Sequence, residues 1–357
     1  PYNASIFGHE RMNAYAYISI VEVLLKLGSV IMIQYCFADK LLAFGALNMG
    51  VTILTALTYR FYCVRNFLNC RYVRYWSALL FKELFSYIGW SLIGNLAWTF
   101  NSQGMNILIN MFFGPVFNAT RGIASSVESA VSSFLYNFIT PAVPPIIKAY
   151  AAGDIDEMIR LSLRSSKLGF LLFMCLSLPL ISVMNPILKL WLIAPPPQSW
   201  TFCLLSLIYI QCNSLGGTLQ NMVQATGKVK RYQLSNGIVK IMALPIVYII
   251  YKCGGDVVAY LWTLILTSIV GLMVQLDAVR RLIDSFKISD YLKKVIMPAL
   301  TAYLLPFLLS FYFSCMEMES LKMMETVAIM VVICLFSVWF IGFTGHERSW
   351  ILNIAKS

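Results

Sequence analysis

The sequence predicts an all-α, polytopic membrane protein with about ten transmembrane helices, and three observations predict it. First, 59% of its 357 residues are apolar and only 12% are charged, with a mean hydropathy of +0.74; an ordinary soluble domain carries about 25% charged residues. Second, apolar runs long enough to cross a bilayer recur from end to end, which excludes a water-soluble body with one anchor. Third, the segments between those runs alternate in charge, as the loops of a multi-pass protein do.

A window of about 20 residues places the spans at 13–37, 41–63, 84–112, 115–144, 168–193, 200–226, 235–253, 256–279, 295–315 and 325–344. With the segment before the first span on the cytoplasmic side, that side holds Arg11; Arg60, Arg65, Arg71, Arg74 and Lys82; Lys148, Arg160, Arg164 and Lys167; Lys228, Lys230 and Arg231; Arg280, Arg281, Lys287, Lys293 and Lys294; and Arg348 and Lys356. That is 20 of the 27 Lys and Arg residues. Only Lys40, Lys189, Lys252 and Lys322 fall opposite, and Lys26, Arg121 and Lys240 lie in or at the edge of spans. One missed or invented span would swap the side of every later loop, so the asymmetry supports ten spans with both ends of the chain cytoplasmic. The net charge of +11 is therefore topology, with the bilayer as partner and no nucleic acid.

The outward connections are short, as at Pro195-Pro196-Pro197 and Gly254-Gly255-Asp256, which leaves no room for a globular domain outside the membrane. Residues 64–83 mix Arg with Trp, Tyr and Phe as an amphipathic interfacial helix does. This cytoplasmic segment is the expected boundary between 1–63, with two spans, and 84–357, with eight. The chain opens at Pro1 with no initiator Met and no charged-then-apolar leader, and is expected to lack its start.

Polar residues inside spans cost free energy in lipid and are expected to face protein or a hydrated cavity. In the third span Asn95, Thr99, Ser102, Asn106 and Asn110 step by three or four, with Gln103 beside them; at 100° per residue they share a sector of about 100°. The fourth span repeats the device with Arg121, Ser125, Glu128, Ser132 and Tyr136, and adds Asn118 and Ser129. Any one of these groups fits helix–helix hydrogen bonding. Two long stripes that include an Arg and a Glu favour a hydrated substrate cavity.

Glu22 and Lys26 form a second charged set, with Tyr15, Ser19 and Ser29 on the same face; their i, i+4 spacing also lets them neutralise each other. The sixth span puts Ser206, Asn213, Gly217, Gln220 and Gln224 on one side, with Gly216 allowing a close approach or a local break. Prolines at 141, 144, 145, 179, 186, 245, 298 and 306 can kink helices.

Catalytic chemistry is not indicated. Asp154-Ile155-Asp156 spells a DxD, but Gly153 before it and Glu157 after it also read as an acidic helix start. The only histidines, His9 and His346, sit near cytoplasmic helix ends, so neither a His-based metal site nor a Ser-His-Asp triad forms within the membrane. The nine cysteines include no CxxC pair, which points to neither a disulfide framework nor a zinc site. No GxxxxGK[ST] loop is present. With no catalytic residue, metal or nucleotide motor assigned, a secondary transporter becomes the leading class, and no enzyme activity is expected.

At the third and fourth spans a likeness appears. The run from Asn106 through Asn110, Gly114, Pro115, Asn118, Ala119, Thr120 and Arg121 to Ala124, with Phe7-Gly8-His9-Glu10-Arg11-Met12-Asn13 ahead of the first span and Tyr150-Ala151-Ala152-Gly153-Asp154 after the fourth, resembles bacterial O-antigen and capsule flippases. These belong to the multidrug/oligosaccharidyl-lipid/polysaccharide exporter superfamily. The resemblance implies part of a two-bundle fold around a central cavity, with these ten spans as the fifth to fourteenth of fourteen and the front four missing. It implies a multi-pass protein of the bacterial inner membrane that carries an undecaprenyl-pyrophosphate-linked oligosaccharide by alternating access, alongside glycan assembly proteins. Arg121 would meet the lipid pyrophosphate, with Lys26 and Lys240 as further cations, and Glu128 would neighbour it or couple transport to protons or sodium; no other cofactor is implied. Two rivals stand beside it, an ion-coupled multidrug exporter of the same fold and a membrane-embedded polysaccharide polymerase.

Overall fold

The computed structural model describes residues 2, 5, 6, 9, 11–36, 40–67, 70, 77–192, 194–314, 316, 320–343, 345 and 347–349. Among the described residues the secondary structure is helical, with no strand. The chain divides into two compact units, Pro1–Ala78 and Leu79–Ser357. Outside the described residues lie Phe7, Gly8 and Glu10 of the N-terminal motif, Arg71, Arg74 and most of the aromatic positions of 64–83, and His346 and Lys356.

The first unit pairs α1 (Met12–Cys36) with α2 (Lys40–Asn66). Both expose apolar side chains all round, as Leu24, Leu27, Leu54 and Phe61 show, the pattern of helices that meet hydrocarbon. A small core of Ile6, Tyr59, Cys63 and Phe67 closes its end, with His9 stacked on Phe67 at 4.2 Å.

The second unit opens with α3 (Ala78–Phe113) and α4 (Pro115–Ile139). Gly114 between them has φ +84° and Pro115 takes the first position of α4. Glycine reaches that left-handed conformation without a Cβ clash, and proline fits a first turn whose N–H has no helical partner. A 3₁₀ turn at Thr140–Ala142 continues α4 into α5 (Val143–Ala151). Gly153, at φ +79°, then turns the chain into α6 (Ile155–Ser182). The Asp154 carboxylate accepts the Glu157 N–H at 3.0 Å, so the DxD segment is an N-cap followed by an acidic first turn.

Helix α6 starts earlier than the hydropathy window places it and stops at Ser182; α7 (Met184–Leu192) follows as a separate helix. The expected span 168–193 thus merges the end of one helix with the next, because a hydropathy window is blind to the polar first turns of α6 and to the break at Val183. Next come α8 (Ser199–Ser214), α9 (Gly217–Ala225), α10 (Lys230–Lys252), α11 (Ala259–Leu282), α12 (Ile288–Ser314, with a π turn at Leu292–Ile296) and α13 (Ser320–Ser337).

Among the described residues, nine of these helical segments are long and apolar enough to cross a membrane, so the chain is an all-α, multi-pass membrane protein. Helix α3, which covers the expected third span, has the length at 36 residues but is not among the nine. Helix α6 and the α8–α9 pair are the buried centre, with 67% and 72% of their apolar windows enclosed. Helices α12, α13 and α4 pack on α6, while α4 and α11 pack on α8.

Candidate functional site

The two polar stripes meet at one residue. Arg121 donates from Nη1 to the side-chain oxygen of Asn106 and from Nη2 to the carbonyl of Ser102 at 3.1 Å, with the Ser102 hydroxyl at 3.5 Å. Asn106 in turn donates to Gln103 Oε1 at 3.1 Å. The guanidinium carbon lies 5.8 Å from the centre of the Tyr260 ring on α11, a cation–π contact worth about 0.5–2 kcal/mol. Five N–H donors in a planar fork let one arginine hold several acceptors at once. Arg121 is nevertheless only partly buried, and no carboxylate among the described residues pairs with it in an ion pair.

The rest of the stripes divide by exposure within this unit. Asn95, Thr99, Gln103 and Asn110 on α3, and Ser125, Ser129 and Tyr136 on α4, are exposed; Ser102, Asn106, Asn118, Glu128 and Ser132 are half-buried. Thr99 folds back on the carbonyl of Asn95 at 3.0 Å. Asn118 Oδ1 and Ser132 Oγ are shut off from solvent without a hydrogen-bond partner, an arrangement that costs about 1–3 kcal/mol per group unless something else satisfies it. Glu128 lies two turns beyond Arg121 on α4 and forms no ion pair among the described residues. In the first unit Glu22 and Lys26 meet at 2.6 Å, so that charged set is an intrahelical pair, which leaves little net charge to offer a ligand.

Helix α3 runs parallel to α10, as ascending contacts show. Trp90 lies under the Lys230 ammonium at 4.7 Å. Further along, a Cβ placed on Gly237 would lie 3.4 Å from Ala97, and one on Gly104 would reach Leu244 at 2.6 Å. Asn101 donates to the carbonyl of Lys240, and Phe112 meets Tyr248 and Tyr251 at 5.8 and 5.6 Å. Small residues along this seam let the backbones approach closely, as membrane helices require.

Beside the seam lies a chamber of about 250 Å³. Asn101 and Trp98 on α3, Tyr209 and Asn213 on α8, Gln220 on α9, Asn236 and Lys240 on α10, and Thr267, Ser268 and Gln275 on α11 line it, with Gly216, Gly217, Leu264 and Gly271. The Tyr232 hydroxyl is a hub at its edge: it lies 3.3 Å from Gln220 Oε1, 3.4 Å from Asn236 Nδ2 and 3.4 Å from Gln275 Nε2. Gln275 lies against the space that a Cβ on Gly216 would fill, so the glycine admits it.

The α8–α9 chain breaks at the same level. Its freed Leu215 carbonyl accepts from the Tyr291 hydroxyl at 2.6 Å and the Ser166 hydroxyl at 2.9 Å. Gly216 therefore serves both a break and a close approach. Of the sixth-span polar set, Asn213, Gly217 and Gln220 reach the chamber, whereas Ser206 is buried elsewhere and Gln224 does not line it. Sequence reasoning missed Asn101, Asn236, Thr267, Ser268 and Gln275. The signal available was Asn236 with Lys240 at i, i+4 inside one span.

No known family model matches the chain, and neither does any curated protein or any solved structure.

Proposed function

We propose that the protein is a flippase that moves a polyprenyl-pyrophosphate-linked oligosaccharide across the bacterial inner membrane by alternating access. The observation that carries this reading is Arg121: a cation within a membrane-spanning segment, oriented by Asn106 and Ser102, without a carboxylate in an ion pair among the described residues and flanked by exposed polar groups on two adjacent helices. A charge so placed costs free energy in lipid and suits a ligand that brings its own negative charge, as a pyrophosphate does. Neutral amides and hydroxyls such as Asn95, Gln103, Asn110, Ser125 and Tyr136 offer the hydrogen-bonding surface a glycan needs, while the polyprenyl chain stays in the bilayer. Glu128 is the candidate for proton or sodium coupling.

The likeness of the Asn106–Ala124 run to polysaccharide flippases supplies the substrate class, which is an argument by analogy. The excess of Lys and Arg on one side of the helices supports cytoplasmic ends. An ion-coupled multidrug exporter of the same fold has less need of a central cation, and the short outward turns disfavour a polymerase.

The test is complementation of a glycan-export defect by the full-length protein. Arg121→Ala is expected to abolish export at unchanged membrane abundance, Arg121→Lys to retain part of it, and Lys322→Ala, an exposed position, to retain nearly all. Equal effects of Arg121→Ala and Lys322→Ala would refute the assignment.

A further inference from the structure

We infer that the chamber around Lys240 is a binding site for a small inorganic anion, of halide to phosphate size, separate from the Arg121 stripe. The inference stands whether or not Arg121 meets a lipid pyrophosphate.

Charge comes first. Lys240 lies in the middle of α10, a helix long and apolar enough to span the membrane, and the residue lines the chamber. Every other polar group in the walls is neutral; there is no carboxylate among them. Its ammonium has no hydrogen-bond or ion-pair partner among the described residues, since Asn101 engages its carbonyl and not its side chain. A cationic side chain within a membrane span is unfavourable without a counter-charge, and a bound anion supplies one.

Room and polarity come second. A volume of about 250 Å³ is many times the roughly 10–15 Å³ that a cavity needs to hold one water. It accommodates a compact anion with part of its hydration shell. The Tyr232 hub fixes Gln220, Asn236 and Gln275 from behind, which preorganises the wall. Gln275 Oε1 is left buried without a partner, so the occupant, or a water it brings, also supplies a donor.

One carboxylate competes. Glu128 on α4 is close enough to act electrostatically on Tyr209, a wall residue, without lining the chamber itself. If Glu128 balanced Lys240, no anion would be needed.

The test is equilibrium binding of radiolabelled chloride and of orthophosphate to the purified full-length protein in lipid nanodiscs. A parallel measurement is the thermal midpoint in sodium chloride and sodium phosphate against sodium gluconate, because a ligand of the folded state raises the midpoint with its concentration. Saturable binding of at least one anion is expected, weakened about tenfold or more by Lys240→Met, retained by Lys240→Arg, and largely unaffected by Glu128→Gln. Absence of saturable binding to both anions, or binding unchanged in Lys240→Met, overturns the inference. So does binding that appears only in Glu128→Gln, which would make Glu128 the counter-charge. Should Lys240→Met not accumulate, Lys240→Gln and the chamber-filling Thr267→Phe carry the same expectation.

Discussion

Arg121 donates to the side-chain oxygen of Asn106, fifteen residues earlier, across the turn at Gly114. That bond joins the polar faces of two helices and holds the guanidinium within α4, a helix long and apolar enough to span the membrane. It makes Asn106 a positioning residue. Asn106→Leu is expected to reduce transport while sparing abundance, because the guanidinium keeps Ser102 but loses one of its directional partners. A charge-assisted hydrogen bond of this kind is worth about 1.5–3 kcal/mol. Transport measured against substrate concentration checks it; equal activity in Asn106→Leu and the parent protein would show that the bond does not orient Arg121.

The close seam between α3 and α10 predicts a steric effect. Gly104 faces Leu244, whose two methyl groups already stand 2.6 and 2.8 Å from where a Cβ would lie. Gly104→Val is expected to destabilise the protein by about 1–3 kcal/mol, the range for overpacking, and Leu244→Ala to restore part of the loss. Unfolding midpoints in detergent for both variants and their combination measure it.

Lys167 and Glu347 form an ion pair at 2.5 Å in which the lysine is 3% exposed and the glutamate 20%. Removing one partner strands the other charge at a cost of about 3–5 kcal/mol when it is buried. Glu347→Gln alone, which strands the more buried lysine, is expected to be the worse single variant, and adding Lys167→Met to recover stability. Additive losses in the double-mutant cycle would mean that the pair is not coupled.

The break between α8 and α9 rests on two hydroxyls. Ser166 and Tyr291 both reach the Leu215 carbonyl and lie 2.8 Å apart. Each of Ser166→Ala and Tyr291→Phe is expected to cost about 1 kcal/mol, and the double variant to cost more than the sum because the carbonyl is then unsatisfied. The same unfolding assay tests this.

Topology predicts chemical reactivity. Cys253 is exposed in the turn after α10, whereas Cys203 and Cys334 are buried. A membrane-impermeant maleimide added to intact cells with a permeabilised outer membrane is expected to label Cys253 and to spare those two. Labelling of Cys253 only after the inner membrane is broken would reverse the assigned orientation.

The sequence by itself determined the all-α, multi-pass architecture, since the approximate place of the helices follows from local apolar runs and a helix satisfies its backbone within one segment. The start of α6 was partly legible in Asp154 and Glu157, but hydropathy hid it because a polar first turn lowers the hydropathy whether the segment is helical or not. Tertiary structure alone decided which intramembrane polar groups meet. Asn101, Gln220, Asn236, Lys240 and Gln275 come from four helices, and apart from Asn236 and Lys240, one turn apart on α10, no spacing along the chain relates them. Gly216 was readable as a small residue; that its missing Cβ makes room for Gln275 depended on how α11 packs beside it, and close packing is a property of pairs of helices rather than of either sequence.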